Sequence, residues 1–198
     1  MSAQPAFTRA DPDARRQSLI EATARVLAAR GAAGVSVRTI CAEAGVSAGL
    51  LRHYFASVSD AMAETYRWTG AEIDRALEEA VAAAGPDPRA RLIAYLAANF
   101  RAPIATPELL ATYVAFWSLT RSDAEVAAVR AEVYGSFRQG LEECLRAYRP
   151  DIADVRVIAV ALTALIDGLW LELSLGQAPF SAEEAETLAA RWLDALTA

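Results

Sequence analysis

The residue types that carry out catalysis or hold metals are scarce in this sequence, and they are not spaced for either task. His53 is the only histidine, and no cysteine or carboxylate stands at ligand spacing from it. Cys41 and Cys144 are isolated, which is typical of a reduced, cytosolic chain. There is no nucleophile elbow, phosphate loop or plausible triad. The sequence therefore disfavours an enzyme and predicts no metal site and no cofactor.

The residue types in segment 37–55 suit DNA binding instead. Two short predicted helices are joined by a turn at Gly45, where glycine permits left-handed backbone, and this is helix-turn-helix spacing. Val46, Leu51 and Phe55 fall on one face and are expected to pack inward. The opposite face then offers small, polar and basic side chains to solvent: Ser47, Ala48, Gly49, Leu50, Arg52 and His53.

Each outward residue type matches a contact that a helix makes in the major groove. The small residues at 48 and 49 let the backbone approach the bases, Leu50 suits a thymine methyl group, and Arg52 suits guanine or phosphate. For His53, a DNA-facing position is weighed against a helix-packing position. Phosphate contacts, which fix register without reading sequence, are expected from Arg38, Thr39 and Tyr54.

The distribution of charge places a polyanion site in the N-terminal third of the chain. The net charge is −6, and all 19 basic residues are arginine. Residues 1–60 hold seven arginines against five acids, whereas residues 61–198 hold the other 12 against 20. The N-terminal segment is therefore the part expected to meet DNA.

Helical periodicity dominates the chain, and an all-α fold of nine helices is predicted. The first helix follows Asp11-Pro12 and ends at Gly31, the second is capped by Ser36, and the third runs from Ser47 to about Phe55. A long fourth helix begins at Ser57 or Ser59 and reaches about Ala84. We expect a DNA-binding domain at 1–57 and a ligand-binding and dimerisation domain at 58–198.

The remaining helices follow from proline, glycine and capping signals. They are expected at about 89–101, 107–117, 122–148, 152–175 and from 181 onward. Two capping boxes are predicted, at Ser122–Glu125 and Ser181–Glu184. No apolar run long enough to span a bilayer and no signal peptide are expected.

Aromatic residues gather on the fifth to eighth helices. Aromatic residues at helical spacing are usually core, but a tryptophan pair with tyrosine and phenylalanine also suits a cage for a methylated cation. Asp167 stands on an otherwise apolar helix, so it should face a cavity, an arginine or the dimer seam. The predicted ligand-binding set is Tyr95, Asn99, Phe100, Tyr113, Phe116, Trp117, Asp167 and Trp170.

The turn region resembles the signature of the TetR family of repressors. Gly45, Val46, Ser47, Gly49, Leu51 and Phe55 match that signature. Arg52 replaces the usual tyrosine, and Val58 stands where the family generally has a lysine. That departure removes one expected phosphate contact and leaves Arg52 and the amide end of the fourth helix to supply positive charge.

Three further segments narrow the resemblance to the BetI branch, whose members repress glycine-betaine synthesis and sense choline. These segments are His53-Tyr54-Phe55, Ala115-Phe116-Trp117 and residues 164–171. The resemblance implies repression of double-stranded operator DNA, a homodimer without membrane attachment, and a small-molecule inducer such as a quaternary ammonium. A lipophilic drug or acyl ligand, and a helical binding module without DNA, are the alternatives.

The family also implies how the two domains cooperate. Its four-helix dimer interface would use small and apolar residues of the last two helices, with ordinary internal packing as the alternative. The fourth helix would act as the lever that changes the separation of the recognition helices when ligand binds. The predicted dimer residues are Ala161, Ala164, Leu165, Gly168, Leu188 and Trp192, with Leu171 or Leu175 and Leu196 on the same faces.

Overall fold

The computed structural model describes residues 12–198, and within them the chain forms nine α-helices and no strand. The predicted N-cap Asp11 lies outside the described residues. A 3₁₀ turn at Ala32–Gly34, which the periodicity did not predict, follows the first helix. The α-helices are α1 Pro12–Arg30, α2 Val37–Ala44, α3 Ala48–Tyr54, α4 Val58–Ala83, α5 Pro88–Ala98, α6 Pro107–Leu119, α7 Ala124–Tyr148, α8 Val155–Ser174 and α9 Ala182–Leu196.

Most helices begin where a side chain accepts a hydrogen bond from a free backbone amide. Ser57 caps α4, and Ser181 forms the predicted capping box with Glu184. The box predicted at Ser122–Glu125 is wrong. Asp123 caps α7 instead, with Oδ1 accepting from the amides of Glu125 and Val126 at 3.0 and 3.1 Å.

Two other helix ends differ from the predicted ones. The fifth helix ends at Ala98 rather than about 101, and α8 begins at Val155 rather than about 152. Asp154 precedes α8 with a φ of 54°, and this left-handed backbone prevents an earlier start.

Two apolar clusters build the fold. The first unites α1, α2, α3 and the start of α4, and the second unites the C-terminal helices around α4, α7 and α8. The first cluster contains Leu19, Ile20, Ile40, Cys41, Leu51, Phe55 and Ala61.

The expectation that no apolar run could cross a bilayer is corrected by α8. Within the described residues, this helix is long and apolar enough to do so by length and composition alone. Core helices of globular proteins pass the same test, and α8 buries Leu162, Ile166 and Trp170. Its apolar character is therefore that of a packing helix.

The closest approach of α4 to α7 depends on Gly70. A Cβ atom at this position would lie 2.8 and 2.9 Å from the methyl carbons of Val133. Since real Cβ atoms do not approach carbon so closely, only glycine fits here without a shift of one helix.

We expect Gly70→Ala to lower the free energy of unfolding by about 1–3 kcal/mol, because the added methyl group overpacks the α4–α7 contact. Gly135→Ala on α7 is the matched control. A Cβ there meets nothing within 4 Å, so this change should stabilise the helix by about 0.5–1 kcal/mol. Urea unfolding measures both. An unchanged Gly70→Ala protein, or one that Val133→Ala fails to rescue, would contradict the argument.

Candidate DNA-binding and ligand-binding sites

The recognition helix α3 is held by its buried face. Leu51 and Phe55 are 3% and 2% exposed and pack on α1 and α2. Gly45 ends α2 with a φ of 67°, and Ser47 caps α3 by accepting from the amide of Leu50 at 3.3 Å. The turn and the cap together fix the direction in which α3 leaves the domain.

The other residues of this segment divide into two groups. Ala48 and Tyr54, which were expected to face DNA, pack against the apolar cluster of the domain. Ser47, Gly49, Arg52 and His53 are exposed, and Ala48, Leu50 and Tyr54 are half-buried. The rings of His53 and Tyr54 contact edge to face at 5.1 Å. Arg38 is also exposed, and neither Arg38 nor Arg52 forms an ion pair with any described residue. Both guanidinium groups are therefore available to phosphate.

The structure corrects the role of Thr39. Its hydroxyl accepts from the amide of Ser36 at 2.9 Å and lies 2.9 Å from the carbonyl oxygen of Gly34, to which it donates. A phosphate contact would require this hydroxyl to leave the capping box of α2. Thr39 therefore positions α2 and is not free to donate to DNA.

The amide end of α4 is also less available than expected. Ser57 Oγ accepts from the amide of Asp60 at 2.9 Å, and the Asp60 carboxylate accepts from the amide of Ala56 at 2.8 Å. The chain's own oxygens thus satisfy one amide of the first turn of α4 and one that precedes the helix, and Val58 is half-buried between the two apolar clusters. Arg38 and Arg52 carry more of the expected phosphate attraction as a result.

A small cavity lies among α4, α5, α6, α7 and α8. Its volume is about 30 Å³, which is about the volume of one water molecule in the liquid. Four of the eight predicted ligand residues line it: Asn99, Tyr113, Asp167 and Trp170. Phe137, one of the aromatic residues that the sequence places on the fifth to eighth helices, lines it too. The sequence prediction missed the other lining residues, which are Gly70, Ile73, Asp74, Val133, Tyr134, Thr163 and Ile166.

A hydrogen-bonded chain runs along one wall of this cavity. Trp117 Nε1 donates to the Tyr134 hydroxyl at 2.8 Å, and that hydroxyl donates to the Asp167 carboxylate, whose oxygens lie at 3.0 and 3.1 Å. Tyr134 was missed because no local pattern marks it as inward. The one available signal was its position between Arg130 and Arg138, one helical turn on either side.

Two carboxyl groups at the cavity are partly removed from water. Burial raises the pKa of Asp167 to about 6, although the Tyr134 hydrogen bond and the charges of Arg130 and Arg138 act in the opposite direction. Burial also raises the pKa of Asp74, which accepts a hydrogen bond from Ser136 at 2.7 Å. A cation in this cavity would stabilise both carboxylates in their charged form.

Four predicted ligand residues lie elsewhere. The Tyr95 hydroxyl donates to the carbonyl oxygen of Phe137 at 2.7 Å and its ring lines a different cleft. Phe100 is 2% exposed in the core, and Phe116 stacks on Tyr66 with ring centroids 4.2 Å apart. Trp117 lies outside the cavity lining, where it donates to Tyr134 and lines a neighbouring surface cleft with Asp167. Tyr95, Phe100 and Phe116 are thus packing residues, because their rings are already covered by neighbouring helices.

Tyr66 on α4 is a further residue that the prediction missed. Its ring lies between Phe116 and Tyr113, at 5.5 Å from the latter. Within the described part of the chain, its hydroxyl is the one buried side-chain polar atom without a hydrogen-bond partner. Such a group costs about 1–3 kcal/mol, so α4 carries a destabilising feature next to the cavity.

A wider groove lies between α1, α4 and α6. It measures about 690 Å³ and is lined largely by apolar side chains, among them Ala28, Trp68, Pro103, Pro107 and Leu109. It holds neither a ring cage nor a buried carboxylate. The smaller cavity, rather than this groove, therefore has the chemistry of a cation site.

The predicted dimer residues lie on an apolar surface of α8 and α9. Ala164, Gly168 and Trp192 are exposed, and Ala161, Leu165 and Leu188 are half-buried. Large apolar side chains continue this surface along α8 at 40% to 66% exposure: Val157, Val160, Leu171 and Leu175. The sequence prediction missed Val157 and Val160.

A helix-turn-helix domain joined by a long helix to a helical domain with an internal cavity defines a transcriptional regulator. Family models agree: bacterial regulatory proteins of the tetR family match residues 19–59, and the C-terminal domain of BetI-type transcriptional repressors matches residues 88–198. The chain belongs to the TetR family, with a BetI-type C-terminal domain.

Curated relatives support this assignment over most of the chain. The HTH-type transcriptional regulator BetI of Burkholderia thailandensis is 32% identical over 93% of this chain and 94% of its own length. The BetI regulator of Rhizobium meliloti is 34% identical over 91% and 88%. These relatives are regulators, and the chain is accordingly not an enzyme.

Solved structures share the fold. A putative transcriptional regulator from Pseudomonas aeruginosa is 36% identical, with a TM-score of 0.87 over 98% of this chain and 95% of that one. A putative regulator from Saccharomonospora viridis, solved in complex with choline, is 21% identical, with a TM-score of 0.78 over 92% and 96%. At that identity, the second comparison supports the fold alone.

Proposed function

We propose that this protein is a cytoplasmic, homodimeric repressor that leaves its operator when a quaternary ammonium such as choline binds the C-terminal domain. The observation that carries the ligand class is the cavity wall in which Tyr113, Tyr134, Phe137 and Trp170 surround the buried carboxyl group of Asp167. Aromatic faces and a carboxylate attract a cation that cannot donate hydrogen bonds.

The proposed DNA contact rests on the exposed side of α3. Arg52 and Arg38 carry unpaired charge, and Gly49 presents bare backbone at the same surface. The domain core leaves these groups free while it fixes α2, which bears Arg38, and α3, which bears Gly49 and Arg52. Two copies would be needed to read two half-sites.

The proposed dimer rests on the apolar surface of α8 and α9. A monomer would leave Leu175 and Trp192 exposed by 66% and 50%. Small residues at 164 and 168 would let two copies of α8 approach closely, and a two-fold arrangement would place the same surface of both copies together. Burial of this surface would stabilise the pair and set the spacing of the two recognition helices.

The solved regulator from Saccharomonospora viridis holds choline. That finding concerns the other protein, and it favours choline as the first ligand to test here. A lipophilic ligand remains the second candidate, because the groove at α1, α4 and α6 is open and apolar. Calorimetric titration distinguishes choline from a lipophilic ligand, because binding of a lipophilic ligand in that groove would not depend on Asp167.

We expect Arg52→Ala to weaken binding to a duplex that the wild-type protein selects from random sequence. Loss of one guanine or phosphate contact should lower affinity about fivefold to 100-fold. Arg146→Ala, which removes an equally exposed charge from α7, is the control and should bind normally. Fluorescence anisotropy across a salt series measures the effect. A protein that selects no duplex at low salt would remove the regulator function altogether.

Choline affinity should depend on pH through Asp167. Protonation of this carboxyl group, whose pKa is about 6 in the free protein, competes with the cation. Affinity should therefore be about tenfold lower at pH 5 than at pH 7.5. Asp167→Asn should bind weakly with little change over this range, whereas Asp194→Asn, which alters an exposed carboxylate paired with Arg89, should behave as wild type. Equal calorimetric affinity of wild type at both pH values would exclude Asp167 as the counter-ion.

The same carboxyl group allows a check without ligand. Its pKa in the folded protein is above the ordinary 3.8, so ionised Asp167 destabilises the fold above about pH 6, and this effect is absent below about pH 4. Asp167→Asn should therefore raise the free energy of unfolding at pH 7.5, by up to about 3 kcal/mol. The advantage should disappear in acid. An Asp167→Asn protein that is less stable at pH 7.5 would contradict this assignment.

A further inference from the structure

A surface cleft adjoins the small cavity at Asp167. The cleft lies between α6, α7 and α8 and measures about 380 Å³, whereas the cavity measures about 30 Å³. Sites for small molecules usually exceed about 300 Å³. A cation larger than water therefore fits the cleft as it stands, and side chains must move before it can extend between the rings of the cavity. The cleft is lined by Trp117, Thr120, Arg130, Asp167, Gly168 and Leu171, of which Gly168 and Leu171 also belong to the proposed dimer surface.

The cleft already contains a positive charge on an aromatic face. The guanidinium carbon of Arg130 lies 4.2 Å from the ring centroid of Tyr134, within the usual range of a cation–π contact. The hydroxyl of the same ring donates to Asp167. The Arg130 guanidinium group therefore lies over the Tyr134 ring and shares the cleft with the Asp167 carboxylate. An aromatic face and a carboxylate are the two features that are expected to attract a ligand cation.

Helix geometry alone explains part of this contact. Arg130 precedes Tyr134 by four residues, and Arg138 follows it by four at a centroid distance of 5.6 Å, so both side chains can reach the ring from the helix surface. Two further features of Arg130 do not follow from its spacing to Tyr134 along the helix. It lines the cleft together with Asp167, and it forms no ion pair with any residue in the range 12–198.

We propose that Arg130 is a resident cation at this site, and that a cationic effector enters through the cleft by displacing its guanidinium group from the Tyr134 ring, beside Asp167, into solvent. The proposal rests on the function proposed above and adds the entrance and the residue that sets cation affinity. Arg130 is half-buried, so its long side chain can turn outward without disturbing the core.

Competition between two cations has a direct consequence for affinity. An effector must replace the attraction between Arg130 and the ring, and it meets repulsion from any guanidinium group that stays. Removing the resident charge should therefore tighten effector binding, whereas loss of a ligand-contacting residue would weaken it. Arg138 is more distant and lies outside the cleft lining, so it should matter less.

The test is calorimetric titration of the full-length protein with tetramethylammonium and with choline. Arg130→Gln should bind both cations about three- to tenfold more tightly, and Arg130→Lys should return towards wild type. Arg138→Gln should change affinity less. Arg146→Gln removes the same charge from α7 at a residue paired with Glu142, and it should change nothing. Thermal unfolding confirms that each variant is folded.

The outcomes separate this proposal from the function on which it rests. If wild type binds and Arg130→Gln binds equally or less tightly, the displacement is overturned and the cation-responsive function stands. If Arg130→Gln binds the added cations and wild type does not, the result supports the proposal that Arg130 occupies the site in the free protein. If neither binds, both are overturned.

A measurement without ligand gives an independent readout. Carbon-13 NMR of the Asp167 carboxyl group should show its pKa rise above about 6 in Arg130→Gln, because a nearby positive charge has been removed. Arg146→Gln should leave the pKa of Asp167 unchanged. An unchanged Asp167 titration in Arg130→Gln would show that Arg130 does not act on the carboxylate and would overturn the proposal.

Discussion

Two helices, α1 and α4, belong to both apolar cores, and the relation between the DNA-binding and C-terminal domains depends on how they pack. Ala61 lies in the helix-turn-helix cluster, whereas Met62 and Tyr66 lie in the C-terminal cluster. Ion pairs extend this link across the surface: Glu64 of α4 pairs with Arg16 of α1, and Arg67 pairs with Glu132 of α7. A displacement of α4 would therefore change the packing of both the DNA-binding domain and the C-terminal domain.

Two polar groups beside α4 and the cavity lower the stability of the ligand-free fold. The buried carboxyl group of Asp167 and the unpartnered hydroxyl of Tyr66 both disfavour the ligand-free arrangement. A cation that stabilises Asp167 changes this balance at the helix that carries the recognition domain. Differential affinity of this kind is the requirement for a ligand to shift a conformational equilibrium. The structure thus gives the proposed lever a physical basis in one charged group.

Features set by local chemistry could be predicted from the sequence, and features set by tertiary contact could not. The turn at Gly45 and the cap at Ser181 depend on neighbouring residues, and both are confirmed. Which aromatic ring faces a cavity depends on distant helices. Phe116 was therefore assigned to the ligand although it stacks on Tyr66, and Tyr134 was missed. The helix count and family followed from the sequence, but only part of the cavity did.

The most direct test is the affinity of the dimer for its selected duplex, measured with and without saturating choline at pH 7.5. We expect choline to weaken duplex binding at least about fivefold, the lower end of common allosteric coupling, and Asp167→Asn to abolish that response while retaining DNA binding. If saturating choline binds the wild-type protein and leaves its duplex affinity unchanged, the coupling of the cavity to the recognition helices through α4 is contradicted.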